Sequence, residues 1–449
     1  MSPPVPPSCR GDPFPEEHRL AMSSRILWLL RRALPVLAAL AGSALAARAQ
    51  YHDAGYLSGS LEIHLTSGSG VVTTLYDNPS ALNGLAMDVD NRRVVFGDGG
   101  TAAGAHGLLR LDPAARTVTT VVTHPSLLYS PLDLVVNGDG DYVFTNRYAT
   151  LVTPTFTRYD VALFKYSPTT SKLTTIATTL ALGAPGIWQG GLGVDIDTGE
   201  YVVQDRNLAN GAPLLGITDQ GTIRTLANGL DPRHGITQDL RTGDWYSPAG
   251  GQIFVVRKSA TSPTSLFAGA SGHGLHSAVA FDRASAAAPR LVSRYRDALY
   301  FVDPIAAAVT SVVLSETTAT PWEVTFHRGR NLASIRTAPG RYDVRLSFPG
   351  AASKAYAIGL SRTGVRPGVV LADNRVISLA PDIFTVLTVA NLLPGMWDPG
   401  PLVLDAGGEA TARLDVSGLP TAGLSVWCIA LVLDRGAIVT IADPILLRL

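Results

Sequence analysis

Six polar residues recur at one place in a repeating phrase of this chain: Asn83, Asp133, Gln189, His234, His276 and Glu323, each at or just ahead of a short apolar run. Neutral imidazoles and carboxylates are good ligands for divalent transition metals, and an oxygen-rich subset suits Ca²⁺. Brought to one point, such a set would hold a metal that polarises a substrate oxygen or activates water. Spread apart, the same residues would line a water-filled channel and satisfy backbone groups at strand ends. His273-Gly274-Leu275-His276 resembles a ligand pair, but residues three apart in a strand face opposite ways, so at most one imidazole serves. Asp98, Asn146 and Asp205 end three copies of the phrase and are expected to bond their own turn backbones. Asn137-Gly138-Asp139-Gly140-Asp141 has the oxygen density of a Ca²⁺ loop, yet lacks the downstream bidentate Glu and is short enough for a hairpin turn. Trp188, Trp245, Trp322, Tyr129, Tyr148 and Tyr246 could line a sugar- or peptide-binding surface or pack between repeats. No Gly-x-Ser-x-Gly elbow, His-Glu-x-x-His pair or phosphate-cradling Gly loop occurs.

The elements that must position these residues are legible from the phrase itself. It reads GLAMDVDNRRVVFGD at 84–98, LDLVVNGDGDYVFTN at 132–146, GLGVDIDTGEYVVQD at 191–205 and, more loosely, HGITQDLRTGDWYSP at 234–248. Each copy is an apolar run, an Asp/Asn/Gly turn and a second apolar run, which is one antiparallel hairpin that cannot bury its faces alone. Second hairpins follow at 107–122, 162–177, 214–227, 253–267 and 298–314. The segment TPWEVTFHRG (320–329) has no outer pair after it, and an outer pair without an inner one stands upstream at 59–77. Joining the two in one unit closes a ring of six and removes free sheet edges. The fold class is therefore all-β: a six-bladed β-propeller over 50–330, followed by a C-terminal antiparallel β-sandwich over 331–449. In the latter, YDVRLSF, KAYAIGLS, FTVLTVA, EATARLDV and LSVWCIALVLD read as strands, with Asp405-Ala406-Gly407-Gly408 as a turn.

The phrase "Asp/Asn-Gly-Asp/Glu, aromatic, Val-Val-x-Asp" is similar to NHL-type propellers, and it also resembles the senescence-marker/gluconolactonase family and virginiamycin B lyase. Those resemblances imply a six-bladed scaffold that hosts hydrolases, lyases and plain binding modules. Gluconolactonase-type enzymes hold a metal with a Glu in an early blade plus Asn and Asp from later ones. Here the early inner strand opens on Asn83-Gly84, and the inner-strand Glu is Glu323 in the closing blade. A lyase-type base would fall to His234 or His276. The C-terminal segment resembles a sandwich module found at the end of large secreted bacterial proteins, through the Asp-x-x-Gly…Leu-x-Val…Leu-Pro phrase at 405–420. A Gln common in that module's last long strand is replaced by the Trp427-Cys428 region.

Lys and Arg balance Asp and Glu at 36 each, with no basic block, so nucleic acid is not an expected partner. From Met22, three arginines precede the apolar stretch 33–46, and Ala47-Arg48-Ala49 offers a small-residue cleavage site. That order predicts a signal peptide over 22–49, with 1–21 ahead of its start, and a periplasmic or secreted mature chain beginning near Gln50 and lacking a membrane span. Cys9 then leaves with the leader, and Cys428 reads as a small buried hydrophobe. The expected function is a monomeric exported binding protein that takes a small molecule, glycan or protein at the funnel face. The alternative is a metal-dependent hydrolase or lyase working in that funnel. No resident cofactor is predicted, although the funnel set would admit Ca²⁺ or Zn²⁺.

Overall fold

The computed structural model describes residues 55–449, except 59–61, 67–70, 78–81, 89–91, 99–105, 125–126, 128–130, 154–155, 179–190, 206–211, 231–234, 250–251, 260–262, 269–278, 283–289, 296–297, 304–308, 314–322, 327–330, 372–374 and 419–423. The predicted leader lies outside these residues. Among those described, no helix is long and apolar enough to cross a membrane.

Six four-stranded antiparallel sheets follow one another along the chain as the blades of a β-propeller. Blades two to six begin with innermost strands at Leu82–Met87, Asp133–Val136, Leu192–Val194, Thr237–Gln238 and Val279–Asp282. Blade one is assembled from both ends of the propeller segment. Its innermost strand is Glu323–Phe326, and its other three are Gly55–Ser58, Glu62–Thr66 and Val72–Asp77. Closure therefore runs one strand earlier than expected: Glu323–Phe326 pairs with Gly55–Ser58 rather than with the 59–77 segment itself. The reason it escapes notice is compositional, because GYLS is four residues long and half Gly and Ser.

Each blade has two apolar faces, and the seams between blades are where they are buried. One cluster joins Ala86, Val95 and Leu108 of blade two to Leu134, Tyr142 and Phe144 of blade three. Equivalent clusters fill the one–two, three–four, four–five and five–six seams. At the end where each innermost strand turns into the second, here called the turn end, an Asx residue closes the hairpin. Asn137 Oδ1 accepts the Asp139 and Asp141 N–H groups at 3.0 and 2.9 Å. Asp195 Oδ1 does the same for Asp197 and Thr198, and Asp239 Oδ1 for Arg241. Asn137 to Asp141 is thus a hairpin turn, the plainer of its two readings. The opposite end, where innermost strands begin, is the rim end. There the second and third strands of blade three, Tyr142–Thr153 and Phe156–Ser167, run on as a two-stranded ribbon with Thr153 opposite Phe156.

Beyond residue 330 two larger antiparallel sheets form, beside a two-stranded one of Val369–Val370 and Val376–Ile377. Leu332–Ala338, Arg341–Ser347, Glu409–Asp415 and Trp397–Asp398 make one; Ala355–Ser361, Ser425–Asp434, Ala437–Ile441 and Ile445–Arg448 make the other. They share a single core that includes Tyr342, Val344, Tyr356, Leu360, Trp397, Val426 and Cys428. One expected strand is a helix instead, Ile383–Val389. Its Thr and Val content suits a strand, but Asp382 builds a capping box that fixes a helical start: Thr385 N–H donates to Asp382 Oδ1 at 2.8 Å, and Asp382 N–H to Thr385 Oγ1 at 3.2 Å. Thr388 then returns its hydroxyl to Phe384 O and accepts the Leu360 N–H, which seats the helix on the strand Ala355–Ser361. Local capping outweighs β-propensity here.

Candidate functional site

Of the six predicted funnel residues, Asn83 and Asp133 are described with their side chains. Asp133 is the first residue of the blade-three innermost strand, lies opposite Thr145 and is buried. Asn83 is half-buried at the second position of the blade-two innermost strand, opposite Gly97. A bulge follows it at Gly84, whose φ of +62° suits glycine. A Cβ there would sit 3.1 Å from the Leu134 Cβ and 3.3 Å from the Asp133 carbonyl carbon, so the starts of these two strands touch. Glu323 begins the blade-one innermost strand, opposite Ser58. Gln189, His234 and His276 lie outside the described residues, as do His273 and Trp188. In sequence each of the first three stands three positions ahead of an innermost strand.

The second strands add polar residues at the same end. Thr145 and Asn146 in blade three occupy the register of Gly97 and Asp98 in blade two, and of Gln204 and Asp205 in blade four. Asn146 and Asp205 are completely buried. Asn146 lies inside the long strand, opposite Ala162, where no turn exists for it to bond. The expectation that Asn146 ends its strand therefore fails, because the ribbon carries the strand past it. Asp205 donates its backbone N–H to Pro213 O at 3.0 Å.

Sequence reasoning passed over Thr145, Gln204 and Ser247. The Ser247 hydroxyl, on blade five, donates to Gln204 Oε1 across the four–five seam at 3.2 Å. Gln204 Nε2 has no hydrogen-bond partner among the described residues, and neither has Thr145 Oγ1, although Gln204 is 0% and Thr145 1% exposed. Turned either way, the Gln204 amide commits one end to Ser247 and leaves the other unmatched. A buried polar atom without a partner forfeits its hydration, a cost of about 1–3 kcal/mol. The signal for these residues was present: a polar residue interrupts the second apolar run in YVFTN, YVVQD and WYSP.

Chemically, this end of blades two to five is rich in acceptors. Asp98, Asp133 and Asp205 supply carboxylates; Asn83, Asn146 and Gln204 supply amides; Thr145 and Ser247 supply hydroxyls. Among the described side chains of this set none is Lys or Arg. Burial, then the charges of Asp98 and Asp77, push the Tyr76 phenol above its ordinary value. Such a surface suits hydroxyl-rich or cationic groups and disfavours anions. Among the described residues, no group of three or more His, Cys, Asp and Glu side chains comes together as a metal would require.

No family model matches the chain, and no curated protein matches it. Solved structures do resemble it. A structure of a nidogen/laminin complex aligns over 61% of this chain and 97% of its own, at 12% identity and a TM-score of 0.46. TolB from Acinetobacter baumannii covers 60% of this chain and 65% of its own, at 10% identity and 0.44. A gluconolactonase from Xanthomonas campestris covers 55% of this chain and 85% of its own, at 19% identity and 0.41. At these scores the propeller assignment rests on the chain's own strand order, with six four-stranded sheets and a closing blade drawn from both ends.

Proposed function

We propose that this chain is an exported binding protein: a propeller over 50–330 that takes its ligand at the rim end, with 331–449 as an accessory sandwich. The observation that carries this reading is the pair of buried polar atoms, Thr145 Oγ1 and Gln204 Nε2, left without partners at equivalent positions in neighbouring blades. Folded proteins rarely leave such atoms unmatched unless a water, an ion or a ligand answers them. Both belong to the end that carries Asn83 and Asp133. The acceptor-rich set and its lack of basic residues favour a neutral polyhydroxylated or a cationic ligand. The resemblance to gluconolactonase-type propellers adds no residue to this argument.

The test is a melting-temperature screen of the mature chain, residues 50–449, against Ca²⁺, Zn²⁺, a panel of mono- and disaccharides, and sugar lactones. A ligand present at a hundred times its Kd stabilises the folded state by about 2.7 kcal/mol. The reading expects at least one probe to raise the wild-type midpoint and to lose that effect in an Asp133→Ala variant. If no probe moves the midpoint, or if the variant responds as the wild type does, the rim reading fails for these ligand classes. Turnover of a lactone in the same samples would replace the binding reading with the hydrolase one. N-terminal sequencing of exported protein should begin near Gln50; a start within 1–21 would remove the export argument.

A further inference from the structure

The turn end of the propeller meets the chain's own C-terminal unit, and the contacts follow the innermost hairpins from blade to blade. In blade two, Arg92 pairs with Glu409 at 3.1 Å and donates to Gly407 O. In blade three, Gly138 O accepts the Ser334 N–H at 2.8 Å, and the Ser334 hydroxyl donates to Asp139 Oδ1 at 3.1 Å. In blade four, the Trp427 indole N–H donates to Ile196 O at 2.8 Å, and Arg448 Nη2 to Gly199 O at 2.9 Å. Arg448 also pairs with Asp219, on the outer turn of the same blade. In blade five, Arg366 donates to Leu240 O at 2.9 Å and reaches back to pair with Asp197 of blade four.

The two surfaces are complementary in kind. In blade two the propeller donates, through Arg92; in blades three to five it presents acceptors: the carbonyls of Gly138, Ile196, Gly199 and Leu240, and the carboxylates of Asp139, Asp197 and Asp219. Facing them are donors on Ser334, Arg366, Trp427 and Arg448. Gly199 makes one of these approaches possible, because a Cβ there would lie 2.6 Å from Arg448 Nη2, and its φ of +68° already suits glycine. Asp219 is held in place for Arg448 by the Tyr201 hydroxyl at 2.7 Å and Lys165 Nζ at 3.0 Å. On the other side, Tyr342 donates to Arg448 O and fixes the final strand in its own unit. Ser334 is completely buried, and the gaps between the two surfaces are small: about 30 Å³ beside Asn137, Tyr201 and Leu446, and about 50 Å³ beside Asp239, Phe281 and Asp443, room for a few waters. Close packing with paired donors and acceptors is the character of a lasting interface, not of a passing contact.

We infer that the C-terminal unit is a permanent intramolecular plug: it spans the turn end of the central channel across blades two to five, making the propeller a cup open only at its rim. Turns that follow innermost strands ring the channel, so a body bonded to four consecutive ones lies across its opening. Trp427 and Arg448 are the latches, both on the sheet that ends the chain. The inference stands whether or not the rim binds a ligand. It also removes the turn face from the surfaces available to any partner.

The test uses the chain 50–449 with a site-specific protease sequence placed between Arg328 and Arg330, ahead of Leu332–Ala338. After cleavage, the two fragments should co-elute on gel filtration at micromolar concentration. In hydrogen exchange, the amides of 138–140, 196–199 and 240–243 should stay protected relative to the outer turn at 113–116. Separation of the fragments in ordinary buffer, or exchange of those amides as fast as the outer turn, would overturn the plug. Arg448→Ala combined with Trp427→Phe should raise the fragment dissociation constant about tenfold or more, since charge-assisted bonds to Asp219 and the carbonyls are lost. An unchanged constant would remove these residues as latches. Should the double variant misfold, Arg448→Lys, which keeps the charge but not the forked bonding, should show an intermediate loss; none would count against the latch equally.

Discussion

The two ends of the propeller are built from the same hairpins but match their buried amides and carboxylates differently, although Thr66 Oγ1 and Arg241 Nε at the turn end also lack partners among the described residues. At the turn end, carboxylates and amides are matched across the seams. Tyr142 OH donates to Asp88 at 2.8 Å, Asn137 Nδ2 to Tyr201 OH at 3.3 Å, and Gln238 Nε2 to Asp195 at 3.2 Å, so blades two to five are tied in series. At the rim end, one register position supplies Thr145 and Gln204, and a buried polar atom of each goes without a partner. A matched buried group holds a fold together, whereas an unmatched one weakens it and persists for another reason. The contrast separates structure from candidate function within one repeat, with no appeal to any other protein.

The sharpest way to break the contrast is Gln238→Leu. Gln238 serves three groups at once, donating to Asp195 Oδ2 and Gly243 O and accepting the Ile196 N–H at 3.0 Å. Its loss leaves a buried carboxylate oxygen and a buried N–H unanswered in the four–five seam, and the unfolding free energy in urea should fall by about 2–4 kcal/mol. A change below about 0.5 kcal/mol would mean that matching at the turn end does not stabilise the ring. Tyr142→Phe is the milder version. Asp88 keeps Arg110 at 3.3 Å, so the same measurement should show a loss of about 1–2 kcal/mol.

How much of this was visible beforehand depends on the periodicity of each part. The hairpin phrase repeats, so the blades, their turns and the split closing blade could be read from apolar runs and Asp/Asn/Gly turns. The Gly55–Ser58 strand could not, because four residues, half of them Gly and Ser, carry no pattern. Ile383–Val389 was misread as a strand because β-branched content spoke for it, and the cap at Asp382 was overlooked. The positions of Asp133 and Asn83 at the starts of innermost strands were legible in the repeat. Thr145 and Gln204 were missed for a physical reason: a polar residue in a second strand looks like the beginning of its turn. Only the register, with Thr145 opposite Asp133, shows it to be interior.

A change of pH sharpens the comparison on the turn side. Burial alone would raise the Asp219 carboxyl, but hydrogen bonds from Tyr201 and Lys165 and the charges of Lys165 and Arg448 hold it below its ordinary value. A carboxylate depressed in the folded state contributes stability above its unfolded value of about 3.9, and loses that contribution as pH falls through the folded value. The latch should therefore be intact at neutral pH and weaken only below about pH 4. In the cleaved chain, fragment association should fall as pH drops below about 4, while any strengthening as pH falls towards that range belongs to Asp139, whose carboxyl burial raises. An Asp219→Asn variant should lack the acid-dependent step while associating more weakly throughout. A fall centred near pH 6 would assign the dependence to another group.

The smallest expected effect is the most telling, because its sign is what matters. Thr145→Val preserves shape and removes an oxygen that has no partner among the described residues. If that hydroxyl were part of the fabric, as the Gln238 amide is, the variant would lose about 1 kcal/mol or more. If it is held in reserve for a ligand, the unliganded chain should be unchanged or more stable by a few tenths of a kcal/mol, since a desolvated hydroxyl has been replaced by a methyl group. The two ends of one repeat would then answer removal of a hydrogen-bonding group with opposite signs. The same variant should show a smaller melting shift with whichever probe stabilises the wild type. Stability maintained together with an undiminished probe response would leave Thr145 outside the site and confine it to the neighbourhood of Asp133. A loss comparable to that of Tyr142→Phe would place an ordered water against Thr145, and the rim would then differ from the turn end only in using solvent as its partner.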